Sequence, residues 1–177
     1  MRLEIPYYSQ YLDVQDENRK PRACAITCLK MVLDFYAAPT KTVDELFVEG
    51  EVIGGMTDKG WKQDAIVILL HNYGVAAYRE EFRSNDEDFS VKLLELGKKK
   101  IIDSLVSGNP VCVSVFSKNG APHLVVFTGV EMESGVPLGF YYNDPEAHTI
   151  EEGRSLFMST EEFEKGWRRF AIFPYKS

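Results

Sequence analysis

Nowhere in the 177 residues is there a run approaching the roughly 18 apolar residues that a membrane-spanning helix needs. The opening residues Met1-Arg2-Leu3-Glu4-Ile5-Pro6 lack the apolar core of a secretory signal, so the chain as given is expected in the cytoplasm. Nucleotide fingerprints are missing as well: neither GxGxxG nor a phosphate-binding P-loop sequence occurs. Cysteine is scarce, at three residues with no CxxC pair, which argues against a disulfide scaffold. Those cysteines and the three histidines show no zinc-ligand spacing, so no metal site is expected. Positive charge is in deficit, with 20 Lys and Arg against 27 Asp and Glu, a net charge of −7. An acidic chain of this kind is a poor general binder of nucleic acid or anionic membrane. Its one basic run, Lys98-Lys99-Lys100, reads as a solvated helix face. Repeats, low-complexity tracts and linkers are absent, so residues 1–177 read as a single domain.

What is present divides into two halves of different period. Residues 12–22 form a polar loop ending near Pro21. Cys24, Cys28, Met31, Val32 and Phe35 then fall on one face of a helix expected to run to Tyr36, and Pro39 stops it. Thr42-Val43-Asp44-Glu45 has the form of a capping box and opens a short helix. Gly54-Gly55 reads as a loop breaker rather than a self-processing signal. A helix is expected from about Lys59 to Tyr73, with Trp61, Ala65, Ile68 and Leu69 inward, then a short strand over 76–82 and a helix from Phe89 to Val106. Beyond Ser107-Gly108-Asn109-Pro110 the alternation is that of strands: Val111–Phe116, His123–Val130 and Phe140–Tyr142. Turns are expected at Lys118-Asn119-Gly120, at Ser134-Gly135-Val136-Pro137 and at Asn143-Asp144-Pro145. Ser159 or Thr160 opens a last helix to about Trp167, and Phe170–Tyr175 closes the chain as a strand. Helices first and an antiparallel meander after them imply an α+β fold, with the helices on one side of the sheet.

A thiol becomes a nucleophile when its thiolate is stabilised, by a helix N-terminus or a nearby imidazolium. Cys24 stands at the start of a helix and so has the first device; the alternative is a small buried apolar residue. Cys28, one turn further in, and Cys112, within an apolar strand, read as core. His123 opens a strand directly after Gly120-Ala121-Pro122, and Asp144 follows the next strand. If those strands are antiparallel neighbours, the two side chains meet as a base and the group that orients it. Read singly, a residue like His123 is more often a polar surface residue, and Asn143-Asp144-Pro145 is more often just a turn. Gln10, ahead of the loop leading to Cys24, is either an amide donor for an oxyanion or a solvated loop residue. His71 and His148 have no evident partners.

Taken in order, four segments resemble the papain-like cysteine peptidases. The narrower likeness is to the family that includes the double-glycine leader peptidases of bacteriocin exporters. That family carries "VPYxxQ", a helix opening "CGPxSLxMxLxYYG", a strand "HxVVVxGY" and a strand end "xxDP". This sequence has Ile5-Pro6-Tyr7-Tyr8-Ser9-Gln10, then Cys24-Ala25-Ile26-Thr27-Cys28-Leu29-Lys30-Met31 and onward to Tyr36. It continues with His123-Leu124-Val125-Val126-Phe127-Thr128-Gly129-Val130 and Tyr141-Tyr142-Asn143-Asp144-Pro145. Gly108-Asn109-Pro110-Val111 fits the "GxPV" that precedes the histidine hairpin. The resemblance covers nearly the whole chain. It implies a papain-like fold, a Cys24–His123–Asp144 triad, Gln10 as oxyanion donor, a peptide or protein substrate and no cofactor. One departure is plain: Ala25-Ile26 stands where the family has Gly-Pro. An added methyl narrows the space beside the nucleophile, and Ile26 lacks proline's fixed φ. Two other functions fit the same residues: acyl transfer to an amine, and a binding or regulatory module that keeps the fold without the chemistry.

Overall fold

A computed structural model describes residues 2–39, 41–117 and 119–176. Helix α1 (Cys24–Phe35) is apolar nearly all round, and Ala25 to Leu33 are buried. A helix buried on every side sits inside a fold rather than on its surface. The helix α2 (Val43–Val52) begins with the expected capping box: Thr42 Oγ1 accepts from the Glu45 backbone N–H, and the Glu45 carboxylate accepts from the Thr42 backbone N–H. It ends as a Schellman turn, with Gly55 N–H on the Gly50 carbonyl, Gly54 N–H on the Glu51 carbonyl, and Gly54 at φ +71°.

Next comes a correction. The helix expected from Lys59 begins only at Gln63, as α3 (Gln63–Asn72). Strands β1 (Met56–Thr57) and β2 (Gly60–Trp61) occupy the preceding residues as a small hairpin. Gly60, at φ +107°, takes a conformation that helps break the helical pattern early. Trp61 is consequently half-buried in the hairpin. It meets the Phe47 ring edge-on at 4.9 Å and donates from its indole N–H to the Arg22 carbonyl, 2.7 Å away. Ile68, expected inward, is 46% exposed.

Strand β3 (Ala76–Glu81) and helix α4 (Glu87–Val106) follow, the helix capped by Asp86. The Lys98–Lys100 run is ion-paired with Glu95, Glu164, Asp103 and Glu80. Strands β4 (Val111–Phe116), β5 (Pro122–Glu133) and β6 (Val136–Asn143) form the meander, with β5 and β6 longer than expected. In the first turn, Asn119 and Gly120 lie between β4 and β5, whereas Lys118 falls outside the described residues. The second turn is tighter than expected: Val136 and Pro137 already belong to β6. A short helix α5 (Ile150–Gly153), a strand β7 (Leu156–Ser159) not foreseen from sequence, helix α6 (Thr160–Gly166) and strand β8 (Trp167–Tyr175) complete the chain.

The six-stranded sheet has the order β3-β8-β4-β5-β6-β7, antiparallel throughout. The α+β reading stands, but the helices do not share one side. Cys112, Leu124, Val126 and Ile172 face α1, α2 and α3 in one apolar core. Val111, Val113, Val125 and Phe127 face the opposite way, toward Ile101 and Leu105 of α4 and Phe163 of α6 in a second core. Alternate residues of a strand point to opposite faces, so a run like Val111–Val115, buried throughout, requires cover on both. Among the described residues no helix is long and apolar enough to cross a membrane.

Candidate active site

Cys24 is the first residue of α1. Ala23 before it supplies no side-chain cap, and the first turn holds no acid. The helix N-terminus therefore keeps its partial positive charge beside the thiol. Cys24 is partly exposed, while Cys28 and Cys112 are buried. Burial, then the neighbouring Cys112 and Cys24, pushes the Cys28 thiol well above the ordinary range, and its Sγ–H points at the Leu124 carbonyl, 3.3 Å away. Burial also pushes Cys112 up to about 12.

His123 lies near the start of β5, paired with Val115 of β4, and is only 7% exposed. The β5–β6 hairpin returns the chain so that Asp144, one residue past β6, stands beside it. His123 Nε2 and Asp144 Oδ1 are 2.7 Å apart. Burial alone would lower the His123 pKa. Hydrogen bonds to Asp144 and Cys24, together with their charges, outweigh burial and raise it to about 10. The ring thus senses the carboxylate and the thiol together, and with Nε2 given to Asp144, Nδ1 remains for other work.

Asp144 is held from several directions. Its N–H donates to the Gly153 carbonyl at 2.7 Å, its carbonyl accepts from Tyr7 Oη at 2.9 Å, and Oδ1 also accepts from the Glu146 N–H at 2.9 Å. The N-terminal segment clamps the same loop further: Ser9 Oγ donates to the Ala147 carbonyl, and the Gln10 N–H to the Pro145 carbonyl at 2.8 Å. Gln10 is thereby tied to the loop carrying Asp144. The residue is 2% exposed, and its Oε1 is buried without a hydrogen-bond partner among the described residues. Buried amides are ordinarily paired, so this one is unusual.

Tyr7 gave no signal in the sequence beyond its place in a motif, and neither did Gly153, against which the Tyr7 ring packs. A Cβ built on Gly153 would lie 1.8 Å from Tyr7 Oη. The two remaining histidines do have partners: His71 Nε2 lies 2.8 Å from the Ala77 carbonyl, and His148 stacks on Tyr11 at 4.2 Å.

Two clefts meet at His123. One, of roughly 540 Å³, contains Cys24 and Ala25 and is walled by Trp61, Ser114, Leu124 and Arg168. The other, of roughly 590 Å³, runs past Asp144, Tyr142 and Tyr11 to His148. A thiol at a helix N-terminus, a buried imidazole that it hydrogen-bonds and a carboxylate on that ring's Nε2 together suit nucleophilic attack with proton transfer.

A family model described as the Peptidase_C39 like family matches residues 2–172. Curated proteins give no match. Among solved structures the chain is similar to a double glycine motif protease from an AMS/PCAT transporter, crystallised in complex with the leader peptide. The TM-score is 0.65 at 16% identity, over 99% of this chain and 94% of that one. It is similar also to the peptidase domain of Streptococcus ComA, a bi-functional ABC transporter involved in a quorum sensing pathway. Here the TM-score is 0.63 at 17% identity, over 89% of this chain and 93% of that one. UfSP from C. elegans shares the fold with a TM-score of 0.62 at 12% identity, over 99% of this chain and 34% of that one.

Proposed function

The chain belongs to the Peptidase_C39 like family and is a cysteine peptidase, and we propose that Cys24 is its nucleophile, His123 its general base and acid, Asp144 the group that orients the imidazole and Gln10 an oxyanion donor. The observation that carries this reading is the 2.7 Å contact between His123 Nε2 and Asp144 Oδ1, on a ring that Cys24 also influences by hydrogen bonding and charge. Residues 1–177 act as one domain in this reading.

Catalysis then runs as thiol acyl transfer. His123 takes the Cys24 proton, and the Sγ thiolate adds to a peptide carbonyl, forming the C–S bond. The Cys24 backbone N–H and the Gln10 amide N–H groups hold the oxygen that becomes negative. Gln10 is suited to this by its place, buried and tied through its backbone N–H to the loop that carries Asp144. The protonated His123 passes its proton to the departing amine as the C–N bond breaks. Water, deprotonated by His123, then attacks the thioester and releases the acid and the thiol. Asp144 fixes the imidazole tautomer and compensates its charge during both transfers.

The substrate is a peptide or protein, by analogy with the leader peptide bound to the AMS/PCAT relative. Ala25 forms part of the cleft wall next to the nucleophile. Its methyl occupies space that a glycine would leave to the substrate backbone. Profiling against a mixed peptide library, with wild type and Cys24→Ala side by side, tests the reading. Cleavage that disappears in the variant supports it; cleavage that persists, or none in the wild type, contradicts it. Added amine separates hydrolysis from transfer, since a transferase would yield the amide product.

A further inference from the structure

The Cys24 cleft is cationic in a chain whose net charge is −7. Arg22, Lys59 and Arg168 line it together with Cys24 and His123, and no Asp or Glu is among its lining residues. Most lysines and arginines elsewhere sit in ion pairs, yet these three form none among the described residues. Arg22 donates to the Thr57 carbonyl. Arg168 donates from Nη1 to Ser114 Oγ at 2.9 Å and lies over the Phe116 ring at 5.6 Å.

Arg168 is placed by an irregularity in the sheet. Along β8, Ala171 pairs with Val113 and Trp167 with Val115, so Ser114 alone stands opposite Arg168, Arg169 and Phe170. The extra residues bulge, and Arg169 takes φ +59°, a left-handed conformation that a residue bearing a Cβ adopts only at some expense. Bulges re-aim side chains and are over-represented beside active sites. Here the bulge turns Arg168 toward the cleft, and Ser114, the single polar residue between Val111 and Val115 and itself 1% exposed, holds the guanidinium there. Burial, and secondarily the charge of Arg83, keeps the Arg168 guanidinium below its ordinary range. A cation in that setting gains from an incoming anion.

The geometry points to Arg168, held by Ser114 and assisted by Lys59 and Arg22, as a specificity-determining residue that binds a carboxylate of the peptide substrate on the Cys24 side of the scissile bond. This rests on the peptidase reading above and adds the substrate's charge to it. The second cleft, with Asp144, Glu146 and Glu152 along it, has the opposite character, so the substrate is charge-asymmetric about His123. The carboxylate is either an Asp or Glu side chain or a peptide C-terminus.

Two thiol reagents test the charge without a known substrate. Iodoacetamide and iodoacetate both transfer a two-carbon group to Cys24 Sγ with loss of iodide, and they differ in that only the second is an anion. In wild type, Arg168→Gln and Arg168→Glu, the rate at Cys24 is measured with each reagent at low and high salt. The iodoacetate-to-iodoacetamide ratio should fall roughly fivefold to tenfold in Arg168→Gln, the size expected of one partly screened charge, and further in Arg168→Glu. The iodoacetamide rate, which reports any change in the Cys24 thiolate itself, should fall less than the iodoacetate rate, and high salt should shrink the differences. Lys59→Gln, on an exposed turn, provides a folded control with a smaller shift in the same direction. Peptides carrying Asp, Asn or Lys at each position, as free acids and as amides, then identify the source. Preference for Asp that survives amidation assigns a side chain, and preference lost on amidation assigns a C-terminus. An unchanged ratio in all variants overturns the proposal while leaving the peptidase reading intact. Failure of Cys24 to react even with iodoacetamide would remove both, and is distinguished by that neutral reagent alone.

Discussion

At the scale of single residues, the site is a competition between burial and charge. His123 is buried, which opposes protonation, yet hydrogen bonds and charge from Asp144 and Cys24 raise its pKa to about 10. The folded value exceeds the unfolded value of about 6.5, so the stability this ring contributes is complete below the latter and is lost as pH rises through about 10. Replacing Asp144 with Ala should therefore lower the melting temperature most near pH 6, with the gap closing above about pH 10. Thermal unfolding of both proteins across that range checks it, and a gap indifferent to pH would mean the carboxylate is not supporting a charged ring. Gln10→Ala should lower kcat roughly a hundredfold with less effect on KM, because an oxyanion donor acts in the transition state. Steady-state kinetics on a cleaved library peptide checks that, and an unchanged kcat would put the donor elsewhere. Cys24, His123, Asp144 and Gln10 could be singled out in the sequence because each sits in a motif with a fixed neighbour. Tyr7, Ser114 and Arg168 could not: their roles depend on partners more than fifty residues away, as in the Ser114–Arg168 hydrogen bond.

Secondary-structure elements explain why the site holds its shape. The loop after β6 is fastened on one side by Tyr7, Ser9 and Gln10 and on the other by Gly153, whose carbonyl receives the Asp144 N–H. Gly153 has no room for a side chain beside Tyr7. Gly153→Ala should consequently cost about 1–3 kcal/mol, the usual range for overpacking, and should also reduce activity by shifting Asp144. Denaturant unfolding with parallel kinetics checks this, and a stable, fully active variant would show the clamp to be dispensable. Two helices are legible from their caps: Thr42 opens α2 with its capping box and Ser159 proves to be the cap of α6, whereas the Asp86 cap of α4 and the short α5 carry no such reading. The strand pair β1–β2 was not readable, because two-residue strands carry no period. The spacing of Trp61, Ala65 and Leu69 satisfies a helix equally well, and only the turn at Gly60 decides against it. Strand β7 was missed for a similar reason. Its four residues show no alternation of buried and exposed positions.

On the scale of the whole molecule, the antiparallel meander and the helix-first order were visible in the change of period after Asn109. The double cover of the sheet is not, because an apolar run such as β4 marks a buried strand without showing which element covers each face. That cover matters chemically. It buries Cys28 against one face, along with Cys112, and leaves Cys24 alone at the helix start, in the cleft it shares with His123. Three thiols in one chain thus occupy different environments, and their relative reactivity reports on the central claim that Cys24 is an activated nucleophile paired with His123. The direct measurement is brief iodoacetamide labelling at about pH 6, where an unperturbed thiol of pKa about 8.5 is almost wholly protonated, with mass spectrometry to locate the label. Cys24 should be modified well before Cys28 and Cys112, and His123→Ala should abolish most of that reaction while the fold persists by circular dichroism. Equal labelling of the three cysteines, or labelling of Cys24 that requires alkaline pH and ignores the loss of His123, would contradict it.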